Sequence, residues 1–376
     1  MKKRVVIGMS GGVDSSVAAL ILKQKGFDVI GLFMRNWDSS LNRDVLGNPT
    51  LNADICPQEQ DYQDALAVCE HLDIPLHRVD FIDEYWRDVF TYFIEEYKKG
   101  RTPNPDIMCN KYIKFSAFKK YAEQFKPDYI AMGHYARVEH GEIPKLLRGV
   151  DENKDQTYFL SQLTAEQLNN VLFPIGDLKK SDVRKRALEH ALPTADKKDS
   201  TGICFIGERQ FNQFLNNYLP TKPGDIKTLE NDVIGKHTGL MHYTIGQRKG
   251  LGIGGSEKYG NEPWFVIGKN LQENSLYVGQ GFHHETLYSD HCTLEDVNII
   301  NPNFVLDNLE CTAKFRYRQR DQEVTLTIKD EQVHVYFKKP VRAVTPGQAC
   351  VFYLGQTCLG GGTIQTVTKK GKILQY

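Results

Sequence analysis

Over the first half of the chain, short apolar runs alternate with longer amphipathic stretches. The runs from Val5 to Gly8, Val29 to Phe33, Leu76 to Phe81 and Tyr129 to Gly133 predict strands. The stretches Asp14 to Lys25 and Asp61 to Leu72 predict helices between them. In the second helix Tyr62, Ala65, Leu66, Cys69 and Leu72 share one face, which assigns Cys69 to the core. This alternation predicts an α/β fold, a parallel sheet with helices on both faces. From about Phe211 the texture changes: Pro, Gly and Asn punctuate Leu219 to Gly224, and GQRKGLGIGG occupies Gly246 to Gly255, predicting a small linking domain. Beyond residue 286 the pattern turns to strict alternation, as in VTLTI (Val324 to Ile328) and VHVYF (Val333 to Phe337), which predicts a small antiparallel β-barrel. The chain thus divides into 1–210, 211–285 and 286–376, without internal repeats or low-complexity tracts.

The 376 residues, 40% hydrophobic and 25% charged, are enough for two or three cores. With 47 basic against 47 acidic residues the net charge is +0, so any nucleic-acid surface must be a local patch. Met1 to Arg4 opens like a signal peptide, but the apolar run stops at the glycines, and no stretch of 18 apolar residues follows anywhere. A cytoplasmic setting and no membrane are expected. The eight cysteines are scattered without a C-x-x-C pair, so structural disulfides are not expected and a cysteine in a polar loop becomes a candidate for chemistry.

The strongest motif is Ser10 Gly11 Gly12 Val13 Asp14 Ser15 Ser16, placed between an apolar strand and a helix. Glycines let a backbone approach a polyanion, and a helix start offers unpaired N–H groups and a favourable dipole. The lysine of a G-x-x-x-x-G-K-[ST] loop is missing, which argues against γ-phosphate cleavage. SGGVDS resembles the pyrophosphate loop of the adenine-nucleotide α-hydrolase-like superfamily, which includes GMP synthetase, NAD synthetase and argininosuccinate synthetase. That resemblance implies ATP cleaved between its α- and β-phosphates, AMP transfer and Mg2+.

Two cysteines stand in polar surroundings. Gly100 to Asn110 reads GRTPNPDIMCN, a proline-stiffened loop ending where a helix should begin, with Asp106 three residues before Cys109 as a possible proton carrier. A thiol at a helix start gains a stabilised thiolate. Cys204 lies in DSTGICFIG, a Gly-containing polar stretch. Cys292, Cys311, Cys350 and Cys358 fall in strand-like segments and are expected to pack. Two basic clusters offer phosphate contacts. Lys179 to Ala187 holds Ser181 as a helix cap and sets charge along one flank, and in Cys311 to Arg318 the alternation puts Lys314, Arg316 and Arg318 on an outer face. His134 ends the fourth strand, at the edge where open α/β sheets bind ligands. His283 and His284 have no partners at metal-ligand spacing, so no zinc is assigned.

Taken in order, SGGVDS, Met34, NPDIMCNKYIKF, GHYAR and DSTGICFIG resemble the tRNA-specific 2-thiouridylase family of the MnmA type, over nearly the whole chain. The resemblance implies that Gly8, Met9, Ser10, Gly11, Gly12, Val13, Asp14, Ser15, Met34 and Gly133 contact ATP. It implies that Asn104, Pro105 and Asp106 meet the target base, and that His134, Lys154, Asp155, Gln156, Tyr317, Arg318 and Gln348 meet tRNA. Cys204 would carry a persulfide and Cys109 would be the nucleophile that resolves it, with a cysteine desulfurase or sulfur-relay protein as donor. Three other readings stay open: a small-molecule synthetase, a non-catalytic RNA-binding protein with a nucleotide switch, and an iron–sulfur enzyme in which Asp106, Cys109 and Cys204 hold a cluster with one open iron.

Overall fold

A computed structural model describes residues 2–51, 55–199, 202, 206, 209–254 and 258–374. Strands β1 (Arg4–Met9), β2 (Asp28–Arg35), β3 (Leu76–Asp80), β4 (Tyr129–Ala131) and β7 (Val171–Leu172) form a wholly parallel sheet in the order β3-β2-β1-β4-β7. Every residue from Val5 to Met9 is buried, as expected for a strand covered on both faces. The helices α1 (Val13–Gln24) and α2 (Pro57–His71) match the expected ones, and Cys69 is in the core, where burial pushes its thiol up to about 12. The strand order reverses between β1 and β4, which opens a crevice at their carboxyl ends. The loop Ser10–Gly12 leaves β1 there, and Met132–His134 leaves β4.

The linking region folds as a four-stranded sheet, β10-β11-β8-β9, built from β8 (Gly224–Lys227), β9 (Val233–His237), β10 (Trp264–Asn270) and β11 (Ser275–Gln280). It encloses its own core of Ile226, Tyr243, Val266 and Leu276. The preceding helix Phe211–Asn216 instead sends Phe214 and Leu215 into the first core, with Phe214 6.1 Å from the Trp37 ring. In the carboxyl-terminal part β12 (Tyr288–Ile299), β15 (Gln332–Arg342), β14 (Gln322–Lys329), β13 (Leu309–Lys314), β16 (Ala349–Leu354) and β17 (Thr357–Lys369) are joined in that order, and β12 pairs back with β17. Six antiparallel strands therefore close a barrel with its edges removed. Its cysteines 292, 311, 350 and 358 are buried, as the strand pattern implied.

One pairing has no forerunner in the sequence pattern. The hairpin β5 (Ala136–Glu139) and β6 (Lys145–Arg148), which directly follows β4, adds to the barrel through Thr357↔Leu147 and Cys358↔Leu146. Arg148 seals the joint: its guanidinium lies 3.6 Å from the Tyr353 ring centroid and donates to Asp321 at 2.5 Å.

The basic strand departs from expectation. Alternation holds only to Lys314, where β13 ends and the chain turns, so Arg316 does not share an outer face with Arg318. The Arg316 guanidinium instead donates to the carbonyls of Ile245 (2.8 Å) and Ala343 (3.0 Å) and to the Thr345 hydroxyl (3.0 Å), tying the barrel to the linking sheet. Arg318 remains exposed. No helix among the described residues is long and apolar enough to cross a membrane.

Replacing Arg316 with Ala takes the guanidinium donor from the enclosed Ile245 carbonyl and leaves the Ala343 carbonyl with the Thr345 hydroxyl. We expect a loss of about 2 kcal/mol in urea unfolding, whereas Arg318→Ala stays within about 0.5 kcal/mol.

Candidate functional site

The crevice between β1 and β4 is shaped by three glycines. Gly11, at φ +70°, lies under α2, where a Cβ would come within 2.1 Å of the Asp61 carbonyl oxygen. A Cβ on Gly133 would stand 2.9 Å from the Ser15 amide nitrogen, so the turn after β4 presses directly on the start of α1. At Gly8 a Cβ would meet the Met132 sulfur at 2.7 Å and the Met34 methyl at 3.5 Å. Gly8, Met34 and Gly133, far apart in sequence, therefore line one place together with Ser10–Ser15.

Within the loop the hydroxyls hold each other. Ser15 Oγ accepts from the Ser10 amide at 3.2 Å, lies 3.1 Å from Ser10 Oγ, and is 3.0 Å from the Gly12 carbonyl. Ser16 donates to the same carbonyl at 2.8 Å. Gly12 occupies the cap position of α1, and no side chain caps the amides of the first turn. Those amides and the dipole of a twelve-residue helix face the crevice, the arrangement that binds phosphate.

The missing loop lysine has a counterpart elsewhere. Lys180 Nζ donates to both Asp14 oxygens, at 2.8 and 2.9 Å, and lies 2.8 Å from Asp199. Tyr135 donates its hydroxyl to Asp14 at 2.7 Å. Asp199 also pairs with Lys154 (2.9 Å) and Arg184 (2.7 Å). Burial works against the Asp199 carboxylate, but hydrogen bonds from Lys180 and Lys154 outweigh it and hold the group far below the usual carboxylate range. The cluster expected to form a basic flank is thus turned inward at Lys180 and Arg184, because two carboxylates need their charge. Its helix runs over Lys180–Glu189 with Lys179 at the cap position, so Ser181 is not the cap. Sequence reasoning missed Lys180; a phosphate loop that carries an aspartate but no lysine was the signal that a cation must come from elsewhere.

Cys109 also differs from expectation. Asn104 caps a helix, accepting from the Asp106 amide at 3.2 Å, with Pro105 in its first position. That helix runs on without a break to Ala122 and is π-wound over Cys109–Ala117. Cys109 therefore lies in the second turn, 0% exposed, in the same core as Met34, Met132 and Phe115. It is not a loop residue, because Ile107, Met108, Ile113 and Phe118 all need burial on that side of the helix. Asn104, Pro105 and Asp106 stay half-buried at the helix start. Cys204 lies outside the described residues.

The remaining residues divide by how they are held. Asp155 is buried, accepting from the Gly149 and Thr157 amides and the Thr157 hydroxyl. Gln156 accepts from the Tyr135 amide at 2.9 Å. Gln348 donates to the Thr102 carbonyl at 2.7 Å, fixing the barrel to the strand of chain before Asn104. Tyr317 rests on the Phe159 ring, 4.4 Å between centroids, and donates to the Lys154 carbonyl. His134 is 7% exposed between the rings of Phe115 and Phe173, and its Nδ1 has no hydrogen-bond partner among the described residues. Burial first, then the nearby Lys114 charge, push its pKa well below the ordinary value.

Sequence comparisons place this geometry. Residues 3–208 match the model of the tRNA methyl transferase HUP domain, residues 212–280 the tRNA methyl transferase PRC-barrel domain, and residues 289–364 the aminomethyltransferase beta-barrel domain. The tRNA-specific 2-thiouridylase MnmA of Acholeplasma laidlawii is 60% identical over 378 residues, covering 100% of both chains. That of Staphylococcus carnosus is 58% identical over 99% of this chain and 98% of its own. The chain belongs to the tRNA-specific 2-thiouridylase MnmA family. Among solved structures, a 4-thiouridine synthetase in complex with RNA and ATP aligns over 52% of this chain and 43% of its own, at 17% identity and a TM-score of 0.34. Lys180, Tyr135 and Asp199 belong to the crevice by geometry, through their contacts with Asp14 and with each other.

Two outcomes follow. Gly133→Ala pushes the turn against the Ser15 amide and should abolish ATP binding, read by equilibrium dialysis, with thermal stability lowered by only a few degrees. His134 stays neutral in the folded chain while its unfolded form protonates near 6.5. Folding stability should therefore fall as pH drops below about 6.5, and wild type should lose up to about 1.4 kcal/mol per pH unit more than His134→Asn in urea melts between pH 6 and 5.

Proposed function

We propose that this protein thiolates the wobble uridine of tRNA at C2, using ATP to activate the oxygen and a cysteine persulfide to supply the sulfur. The observation that carries this reading is full-length membership of the 2-thiouridylase family in a chain whose phosphate loop, Asn104–Asp106 turn and Cys109 helix adjoin one crevice. A uracil carbonyl is a poor electrophile with a poor leaving oxygen. Transfer of AMP to O2, with release of pyrophosphate, turns that oxygen into a phosphate ester that departs easily. In this reading the amides at the start of α1 cradle the phosphates, and Lys180 supplies positive charge beside them. Asn104, Pro105 and Asp106 receive the base. His134, Lys154 to Gln156, Tyr317, Arg318 and Gln348 are the tRNA contacts.

Cys204 carries the persulfide. Its outer sulfur reaches C2 and AMP leaves, while the Cys109 thiolate attacks the sulfur bonded to Cys204, giving a Cys109–Cys204 disulfide that an external thiol must reduce. Asp106, one turn before Cys109, is the group for proton transfer. Because Cys109 is enclosed, the first turn of its helix must open when tRNA binds. The packing supplies a route: Tyr317 leans on Phe159, whose carbonyl accepts from Asn110, the residue after Cys109. Magnesium in this reading arrives on the ATP phosphates. Asp14 is engaged by Lys180 and Tyr135, and the described residues hold no group of three metal-ligating side chains. The sulfur donor is a cysteine desulfurase or relay protein.

Incubation of unmodified tRNA with ATP, Mg2+ and a persulfide donor should yield 2-thiouridine by nucleoside mass spectrometry. Cys204→Ser should adenylate tRNA but take up no persulfide; Cys109→Ser should accept persulfide and stall. After one turnover without reductant, tryptic peptides of wild type should be joined through the two cysteines. Full thiolation by either variant would refute the division of labour, and visible absorbance in anaerobically prepared protein would point to an iron–sulfur cluster instead.

A further inference from the structure

The glycine-rich stretch from Gly246 to Gly254 takes no part in the site described above. Its root is held from three sides. Arg316 of the barrel donates to the Ile245 carbonyl at 2.8 Å, the Gly246 amide donates to the Val266 carbonyl at 2.8 Å, and Thr244 Oγ1 lies 3.2 Å from Thr102 Oγ1. Gln247 fastens the turn, accepting from the Thr244 amide and donating to the Lys249 carbonyl. The stretch therefore leaves the body between the segment that leads into Asn104–Asp106 and the turn that carries Tyr317 and Arg318.

Beyond that root the character is different. Gly250 and Gly252 have φ of +78° and +65°, and no described residue lies within 4 Å of where a Cβ on Gly252 or Gly254 would be. Arg248 and Lys249 are exposed, and among the described residues neither side chain meets a carboxylate. That sets them apart from Lys180, Arg184 and Lys197, each of which is paired with an aspartate. Two uncompensated cations on backbone that a bulky polyanion can approach closely suit the phosphates of a nucleic-acid strand. The overall charge of +0 makes such a local pair count, since no general field attracts RNA.

We propose that Arg248 and Lys249 hold backbone phosphates of the tRNA substrate, beside the segment that receives the target base. The assignment rests on the functional reading above. The test is filter binding of an unmodified tRNA transcript to the full chain across a salt series. Arg248→Gln with Lys249→Gln should raise Kd about tenfold and flatten the plot of log K against log salt by about one to two units. Both side chains are exposed and pair with no carboxylate among the described residues, so the melting temperature should not move, and kcat at saturating tRNA should be retained. The exchange Arg248→Lys with Lys249→Arg should keep wild-type affinity and slope. Unchanged affinity and slope in the double glutamine variant would overturn the assignment. So would tRNA binding that is intact while sulfur transfer from a protein persulfide donor is lost, which would give the loop to that partner. Wild type that binds tRNA with the full salt slope yet makes no 2-thiouridine would overturn the functional reading alone.

Discussion

Asp14 of the phosphate loop and Asp199, far along the chain, both meet the Lys180 ammonium, and much of the crevice is arranged about that contact. Lys180 is 13% exposed at its side chain and meets both carboxylates at 2.8 Å. Asp14 in turn needs a cation, because it stands where a bound polyanion would otherwise repel it. The helix Lys180–Glu189 is therefore drawn against α1, with Val183 and Ala187 in the same core as Val17 and Leu20. Asp199, five positions before Cys204 in the sequence, is bound to the same ammonium. The nucleotide loop and the chain that leads to the second cysteine are thus fixed to one atom.

A second constraint joins the three folded parts. The chain from Gly100 to Thr102 enters the Asn104 helix while held by all of them. Lys269 of the linking sheet, itself buried, donates to the Gly100 carbonyl at 2.9 Å, the Thr102 amide donates to the Pro346 carbonyl at 3.1 Å, and Gln348 donates to Thr102. Gly347, at φ +88°, permits this approach, since a Cβ there would stand 2.9 Å from the Thr102 amide. On the other side the hairpin β5–β6 carries the strand that follows His134 into the barrel sheet. Both chain segments that leave the crevice are therefore anchored in the barrel, which makes the barrel a frame for the site as well as a surface.

The fold was largely legible because it is written in local periods. Both-face burial gives continuous apolar strands such as Val5–Met9, and the barrel gives alternation such as Val324, Leu326 and Val333, Val335. What could not be read was determined by partners distant in sequence. Nothing near Arg316 announces three acceptors, all of them on two distant segments, and the alternation that placed it outward ends two residues earlier, at Lys314. Lys180 looked like part of a basic surface because its two aspartates are 166 and 19 positions away. The β6–β17 pairing joins segments some 210 positions apart, and its short strand has only Leu146 fully buried. The glycine loop and the order of motifs at the crevice were legible; the identity of the side chains that balance their charge was not.

Cys109 shows where local and global demands conflict. Asn104, Pro105 and the acidic Asp106 make a strong helix start, and from sequence a cysteine just beyond it resembles a dipole-activated thiol. Yet the helix face that holds Cys109 also holds Ile113, one turn later, and that face must be buried whether or not the sulfur is reactive. The packing gain of the apolar neighbours therefore closes over the thiol. The π winding that begins at Cys109 is the structural sign of this compromise, since a π turn is less favourable than an α turn and persists where surrounding contacts impose it. In the reaction proposed above, the Cys109 thiol beside the Asn104–Asp106 turn is enclosed in the free protein, and its exposure is reserved for the complex with tRNA.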